Sequence, residues 1–422
     1  PAARAQFVQE NALQPQDLKA VEQLGVYSIE RTGLKPSTGA EVFATKRYRA
    51  ALTPQDTHYN LQWHLGKVGT PTTWNNTIGT TAPTVAVIDT GFALAHEDLD
   101  SKWVTNAGET GVASQEGSAP NCTSRALTLS KSCNNLDDDD DGYTDNHTGW
   151  DFVTDTNSVQ AGEANPTGSG VSHGTLVSGL IAAETNNSQG MSGVSWGSQI
   201  LPIQALSDDG DGDTLSVALA INYAVGQGAK VINMSLSSDS DDPLVSEQIQ
   251  LALGSGVSVV AAAGNDGVGL LGYPANYPGV IAVGASDASD VRAGFSSYGA
   301  NLALVAPGTG AICTTGWTQA RPNDYYVCGY NGTSFSSPIV AGAAALLLSQ
   351  NASLTPSQVK SALTSTATKV AGMGGQSFTS QYGYGRLDVY AALTSVSLPT
   401  PRGGCTTHLT GALCEVRAVN SS

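Results

Sequence analysis

Between residues 59 and 395, short runs of apolar, largely β-branched residues alternate with longer segments whose apolar positions recur at helical spacing. The runs at 84–88, 200–206, 231–236, 257–262, 280–284 and 302–306 are mostly apolar throughout. A strand that is apolar on both faces needs cover on both faces, so the pattern predicts a mostly parallel sheet between helices, an α/β architecture. Helices are predicted over 173–183, 215–227, 244–254, 334–349 and 355–364. In such sheets, sites form at the carboxyl ends of strands and at the helix starts that follow.

The pattern changes at both ends. Residues 1–55 are more charged and predict a helix at 15–24, a strand at 26–30, a Gly/Pro/Ser turn at 33–39 and a second strand at 41–49. Fifty residues hold only a marginal core alone. A junction follows at 51–58, with Pro54 and Asp56 marking a turn. Residues 398–422 carry Pro399, Pro401, a Gly pair and two cysteines, which reads as a linker and a small stapled tail. The chain starts at Pro1 without a Met or a signal segment, so a processed form is expected. No apolar run approaches the roughly 18–20 residues of a membrane span.

Charge narrows the partners. The chain has 36 Asp and Glu against 19 Lys and Arg, a net charge of −17. Such a surface repels nucleic acid and anionic membranes and favours divalent cations and cationic peptides, although acidity also serves solubility alone. Six cysteines fall as three local couples, Cys122 with Cys133, Cys313 with Cys328 and Cys405 with Cys414. Six thiols allow about 15 pairings, so connectivity stays open, but an even number of cysteines at short separations suits three small disulfide loops. No couple has the CxxC spacing of a zinc or redox site. An oxidising, extracellular setting is expected.

Three distant segments each supply one catalytic part. Val85-Ala86-Val87-Ile88-Asp89-Thr90-Gly91 is a strand ending on an acid. Ser172-His173-Gly174-Thr175 opens a helix on a His with a small neighbour. Asn331-Gly332-Thr333-Ser334-Phe335-Ser336-Ser337-Pro338 puts a Ser in the first turn of an apolar helix, where a proline is tolerated. Singly, each has a plain reading as a turn residue or a helix cap. Together, in the order Asp, His, Ser, they resemble the subtilase family of secreted bacterial serine peptidases, over residues 62–393.

That resemblance implies a subtilisin-like three-layer fold and a serine endopeptidase acting through an acyl-enzyme on Ser334. His173 is the implied general base, Asp89 its orienting carboxylate, and Asn265 in Ala261-Ala262-Ala263-Gly264-Asn265 the oxyanion donor. Ser235, Leu236 and Ser237 resemble a strand that pairs with extended substrate. Small residues at Gly264 and Gly272 imply an open, largely apolar first specificity pocket and broad specificity. The family often has Gly where Ser237 and Ser238 stand, and a bulky aromatic near Thr214, so the fourth pocket is expected to be shallow or wide. Asp208, Asp209, Asp211, Asp213, Asp239, Asp241 and Asp242 fall near the implied cleft rim, either favouring basic residues at outer subsites or simply solvated.

Carboxylate-rich loops point to hard cations with oxygen ligands. In 137–145, Asp137, Asp139, Asp141, Tyr143 and Asp145 stand at alternate positions about a Gly turn, which resembles the first nine positions of a helix-loop-helix calcium loop, although the twelfth position is Thr148 rather than Glu. The run resembles an Asp-rich insertion of bacterial subtilases ahead of Gly149-Trp150-Asp151-Phe152. By resemblance alone, Gln62, Asp98 and Asn187 match positions that hold calcium in relatives, and His96 before Glu97-Asp98-Leu99 matches a structural His. The Asp209–Asp213 stretch, with two glycines, reads as an ordinary turn. One or more structural Ca2+ sites are therefore expected.

The resemblance also sets the organisation: residues 1–55 as the remnant of an N-terminal propeptide or extension, 56–397 as the catalytic domain and 398–422 as the tail. Partners would be protein and peptide substrates and the chain's own propeptide as a transient inhibitor, with a monomeric enzyme. Two rivals remain, a catalytically silent subtilase-like binding protein and a proprotein-processing endopeptidase. The intact Asp89, His173, Ser334 and Asn265 disfavour the first, and a tail too short for a large β-sandwich disfavours the second. A lipase would need Gly-x-Ser-x-Gly and the order Ser, Asp, His.

Overall fold

Residues 85–88 bury every side chain, Val85 and Val87 into one apolar cluster and Ala86 and Ile88 into another. A strand with two dry faces belongs in the middle of a covered sheet. The computed structural model describes residues 52–114, 130–160, 172–310, 312–316 and 325–396, together with the short strands at 30–31 and 43–44. The chain divides into two compact units, Pro1–Leu52 and Thr53–Ser422. In the first, β1 (Glu30–Arg31) pairs antiparallel with β2 (Phe43–Ala44). The helix expected at 15–24 and the tail at 398–422 lie outside the described residues.

In the second unit, β3 (Val85–Asp89), β4 (Trp150–Asp151), β5 (Ile200–Gln204), β6 (Val231–Met234), β7 (Ser258–Ala262), β8 (Ile281–Ser286) and β9 (Leu302–Pro307) form one sheet. Its order is β4-β5-β3-β6-β7-β8-β9, and every pairing is parallel. Later strands lie on both sides of β3, so the crevice that strand order creates opens at its carboxyl end, at Asp89. The strand β4 was not expected, because two residues carry no periodicity.

The helices are α1 (Trp63–Lys67), α2 (Thr70–Trp74), α3 (His173–Ala182), α4 (Thr214–Gly226), α5 (Pro243–Gly254), α6 (Thr333–Gln350), α7 (Pro356–Ser365) and α8 (Val389–Ser395). One face of the sheet packs on Leu176 of α3, Ile339 of α6, Val359 of α7 and Leu393 of α8. The other packs on Val217 and Ile221 of α4 and Ile249 of α5. The result is three layers, helix on sheet on helix, as the sequence pattern predicts. Local chemistry starts the helices. Asp213 caps α4 by accepting from Ser216 N, Asp242 caps α5 ahead of Pro243, and Thr355 with Gln358 makes a capping box for α7.

A hairpin of β10 (Ile312–Thr315) and β11 (Tyr326–Tyr330) leads into α6, and its facing residues Cys313 and Cys328 are joined by a disulfide. Cys133 is disulfide-bonded as well; Cys122, Cys405 and Cys414 lie outside the described residues. Among the described residues no helix is long and apolar enough to cross a membrane.

Candidate active site

Asp89 is the last residue of β3 and is fully buried. Its Oδ1 accepts from Thr90 N at 2.8 Å and lies 2.7 Å from Nδ1 of His173. His173 opens α3, and Gly174 lets that helix start come close: a Cβ there would stand 2.7 Å from the Phe92 ring and 2.9 Å from the Thr90 carbonyl oxygen. Burial works against charge on His173, but the Asp89 carboxylate and its hydrogen bond more than offset this and hold the imidazole above its ordinary pKa.

The His173 ring packs on Phe335 with centroids 5.9 Å apart, which brings the start of α3 to the first turn of α6. There Ser334 Oγ donates to the Ser235 carbonyl at 3.2 Å. Asn265 follows β7 after Gly264, whose φ of +101° suits only glycine. The Asn265 carbonyl oxygen accepts from both the backbone N–H and the hydroxyl of Thr333, each at 2.9 Å. The Nδ2 end is thereby left for a ligand in a cavity of about 410 Å3 that Asn265 lines with Ser334, Leu236 and Asp266. A larger groove, about 790 Å3, continues past His173, Leu236 and Thr214.

A carboxylate–imidazole pair, a serine at a helix start and an amide beside it are the parts of a hydrolase that forms an acyl-enzyme. The family model of the subtilase family matches residues 80–385. The chain belongs to the subtilase family. It is a serine endopeptidase of the subtilisin type. Thermophilic serine proteinase from Bacillus sp. (strain AK1) is 35% identical over 349 residues, covering 82% of this chain and 71% of its own. Thermitase from Thermoactinomyces vulgaris is 32% identical over 342 residues, covering 81% and 99%. Among solved structures, a protease from Pseudoalteromonas arctica PAMC 21717 matches with a TM-score of 0.63 and 28% identity, over 82% of this chain and all of that one.

In this subtilase the segment Ser235, Leu236 and Ser237 runs on from β6, and Ser238 exchanges both backbone hydrogen bonds with Tyr273 at 2.8 Å. The Ser237 hydroxyl fills the space beside Gly272, 2.0 Å from where a Cβ would stand, and lies 3.3 Å from the same point on Gly264. Of the acidic rim residues, Asp213 and Asp242 are the N-caps of α4 and α5; Asp208, Asp209, Asp211 and Asp239 line the groove with them.

The subtilase brings Asp98 and Asn187 together: Asp98 Oδ1 accepts from Asn187 Nδ2 at 3.0 Å and Oδ2 from Met191 N at 2.8 Å. Gln62 instead spends its amide on the Ser192 main chain, at 2.9 and 2.7 Å. Beside them is Asp56, which sequence reasoning read only as a turn; its carboxylate accepts from Asn187 N and Ser192 Oγ. Burial pushes Asp98 up to about 7, opposed by its hydrogen bonds from Met191 and Asn187 and aided by the charges of Asp56 and Glu184.

In the acidic loop, Asp137 and Asp139 converge with Glu109, one oxygen from each lying within 4.8 Å of the others. Glu109 is fully buried, its Oε1 accepts from Asp138 N at 2.7 Å, and its Oε2 has no hydrogen-bond partner among the described residues. Nothing in the sequence near Glu109 singles it out. Asp141 turns to Asn146 and Gln227, at 2.8 and 2.5 Å, and Asp145 to Asn135 N. The Tyr143 ring packs against Trp150, Phe152 and Tyr223.

Proposed function

We propose that this subtilase is a secreted endopeptidase of broad specificity that cleaves peptide bonds through an acyl-enzyme on Ser334. The observation that carries the reading is the 2.7 Å contact of Asp89 with His173, set beside the Ser334 turn and Asn265. An extended peptide pairs with the backbone of 235–237 and seats its first specificity side chain in the open pocket by Leu236 and Ala262, whose wall, with Ser237, Ser238, Asp239 and Asp266, is mostly polar and not the largely apolar one that the resemblance implies. The Ser334 hydroxyl leaves the Ser235 carbonyl, gives its proton to His173 and attacks the scissile carbonyl. Asp89 keeps the proton-bearing Nδ1 in place and stabilises the imidazolium. The oxyanion takes hydrogen bonds from Asn265 Nδ2 and the Ser334 N–H. His173 then returns the proton to the leaving amine, and water repeats the sequence to release the acid. Casein digestion that stops when a phosphonylating serine reagent labels the protein supports this; digestion that persists at full labelling contradicts it.

The pH dependence follows from the Asp89–His173 pair. The neutral imidazole is the form that accepts a proton, so the acid limb of kcat/KM is expected to have its midpoint above pH 6.5. The same interaction stabilises the folded state fully below the unfolded pKa, and that contribution is lost as pH rises through the folded value. A pH–rate profile with its acid midpoint below 6.5 contradicts the assignment of the pair.

Calcium is the cation these donor sets fit. Asp98 and Asp56 bring their carboxylates to one group, with Asn187, whose Nδ2 faces Asp98, and Gln62 adjoining. Glu109, Asp137 and Asp139 form another, with a buried unpartnered carboxylate oxygen. Bound there, calcium would supply the positive charge these carboxylates lack. Chelation by EGTA is expected to lower the thermal midpoint by about 5–10 °C, given a contribution of about 2.7 kcal/mol at free calcium about 100 times Kd and about 2–4 °C per kcal/mol. Asp98→Asn is expected to shrink that shift; an unchanged midpoint on chelation counts against both groups. Residues 1–55 are read as the remnant of a propeptide that inhibits transiently.

A further inference from the structure

The first turn of α6 lacks one helical hydrogen bond. In an α-helix the carbonyl of residue i is taken by the N–H of residue i+4, and four residues beyond Ser334 stands Pro338, which has no N–H. The partner that the Ser334 carbonyl finds comes from the sheet: the Ser235 hydroxyl donates to it at 2.9 Å. Ser235 is buried just past the end of β6. The fully buried Asn233 donates from Nδ2 to Ser235 Oγ at 3.0 Å, which occupies a lone pair and turns the hydroxyl proton outward. Ser337 Oγ, 2.9 Å away, closes the group. Ser235 also accepts from Ser334 Oγ through its own carbonyl, so it grips that residue at both polar ends.

We propose that Ser235, aimed by Asn233, is a positioning residue for the nucleophile: its hydroxyl replaces the helical hydrogen bond that Pro338 removes. Ser334 is thereby tied to the strand that presents the peptide, and not to its helix alone, so nucleophile and scissile bond share one frame. This rests on the reading of Ser334 as nucleophile. It separates two roles within Ser235, whose backbone faces substrate and whose side chain faces the enzyme.

A double-mutant cycle on the full chain tests this, with kcat and KM for a chromogenic peptide, phosphonyl labelling of Ser334 as the count of active sites and a thermal midpoint to verify folding. Ser235→Ala is expected to lower kcat about tenfold, equivalent to about 1.4 kcal/mol, with KM changed less than about twofold. Pro338→Ala restores an N–H four residues beyond Ser334, and in that background Ser235→Ala is expected to cost less than about twofold. Ser235→Thr, which keeps the hydroxyl, is expected to hold kcat within about threefold, whereas Ser235→Cys, a near isostere and weak donor, repeats the loss and replaces the alanine variant if that does not fold. An equal loss in both backgrounds, or a loss carried by KM alone, overturns the positioning role and leaves the nucleophile in place. A wild-type protein that digests casein without labelling at Ser334 overturns the reading beneath it.

Discussion

Asp89→Asn is expected to lower kcat by about 10^4 with little change in KM. The carboxylate is buried at the end of β3 and meets His173 at 2.7 Å, and its other oxygen has no hydrogen-bond partner among the described residues. Its charge is therefore directed at the imidazole. An amide of the same shape keeps the packing, but it loses the charge that stabilises the imidazolium and favours the wrong tautomer. The variant's acid limb should move down in pH as its rate falls, since the influence that raises His173 is gone. Steady-state kinetics from pH 5 to 10 on a peptide amide check both effects. A loss below tenfold, with the limb unmoved, removes Asp89 from the mechanism.

Asn265→Ala carries the second largest expected effect, about 10^2–10^3 in kcat, or about 3–4 kcal/mol of transition-state stabilisation. Thr333 holds the Asn265 oxygen by two 2.9 Å hydrogen bonds, so the amide is oriented before substrate arrives. A donor fixed in this way stabilises charge that appears only during reaction, and its loss should fall on kcat rather than KM. Asn265→Asp, an isostere with no donor, should lose at least as much. Equal ground-state binding with an unchanged kcat in either variant contradicts the role.

The layered fold was legible because its evidence is local and repeated. Each of the six apolar runs became a strand of the sheet, and Val85–Ile88 already declared a strand covered on both faces. The bodies of the longer helices were readable from their apolar spacing, whereas caps such as Asp242 ahead of Pro243 were not singled out. Short elements escaped, since α1, α2 and β4 are too brief for a period to register. At the site, the chain named Asp89, His173, Ser334 and Asn265, and tertiary structure brings Asp89 against His173 and Asn265 against Thr333. Relations between distant segments were not legible. Glu109 meets Asp137 and Asp139 only in three dimensions, and Asp56 reaches the Asp98–Asn187 group from a segment that read as a junction. The acidic rim misleads for another reason: Asp213 and Asp242 look like surface charge in sequence, yet their oxygens are occupied as helix caps.

The most direct measurement is the pre-steady-state release of nitrophenol from an activated p-nitrophenyl ester, with mass spectrometry of the quenched enzyme. An acyl-enzyme on Ser334 predicts a burst of about one equivalent per active chain and an acyl adduct on the peptide containing Ser334, both lost in Ser334→Ala. Linear release without a burst while casein is digested normally, or an adduct on another residue, contradicts the account.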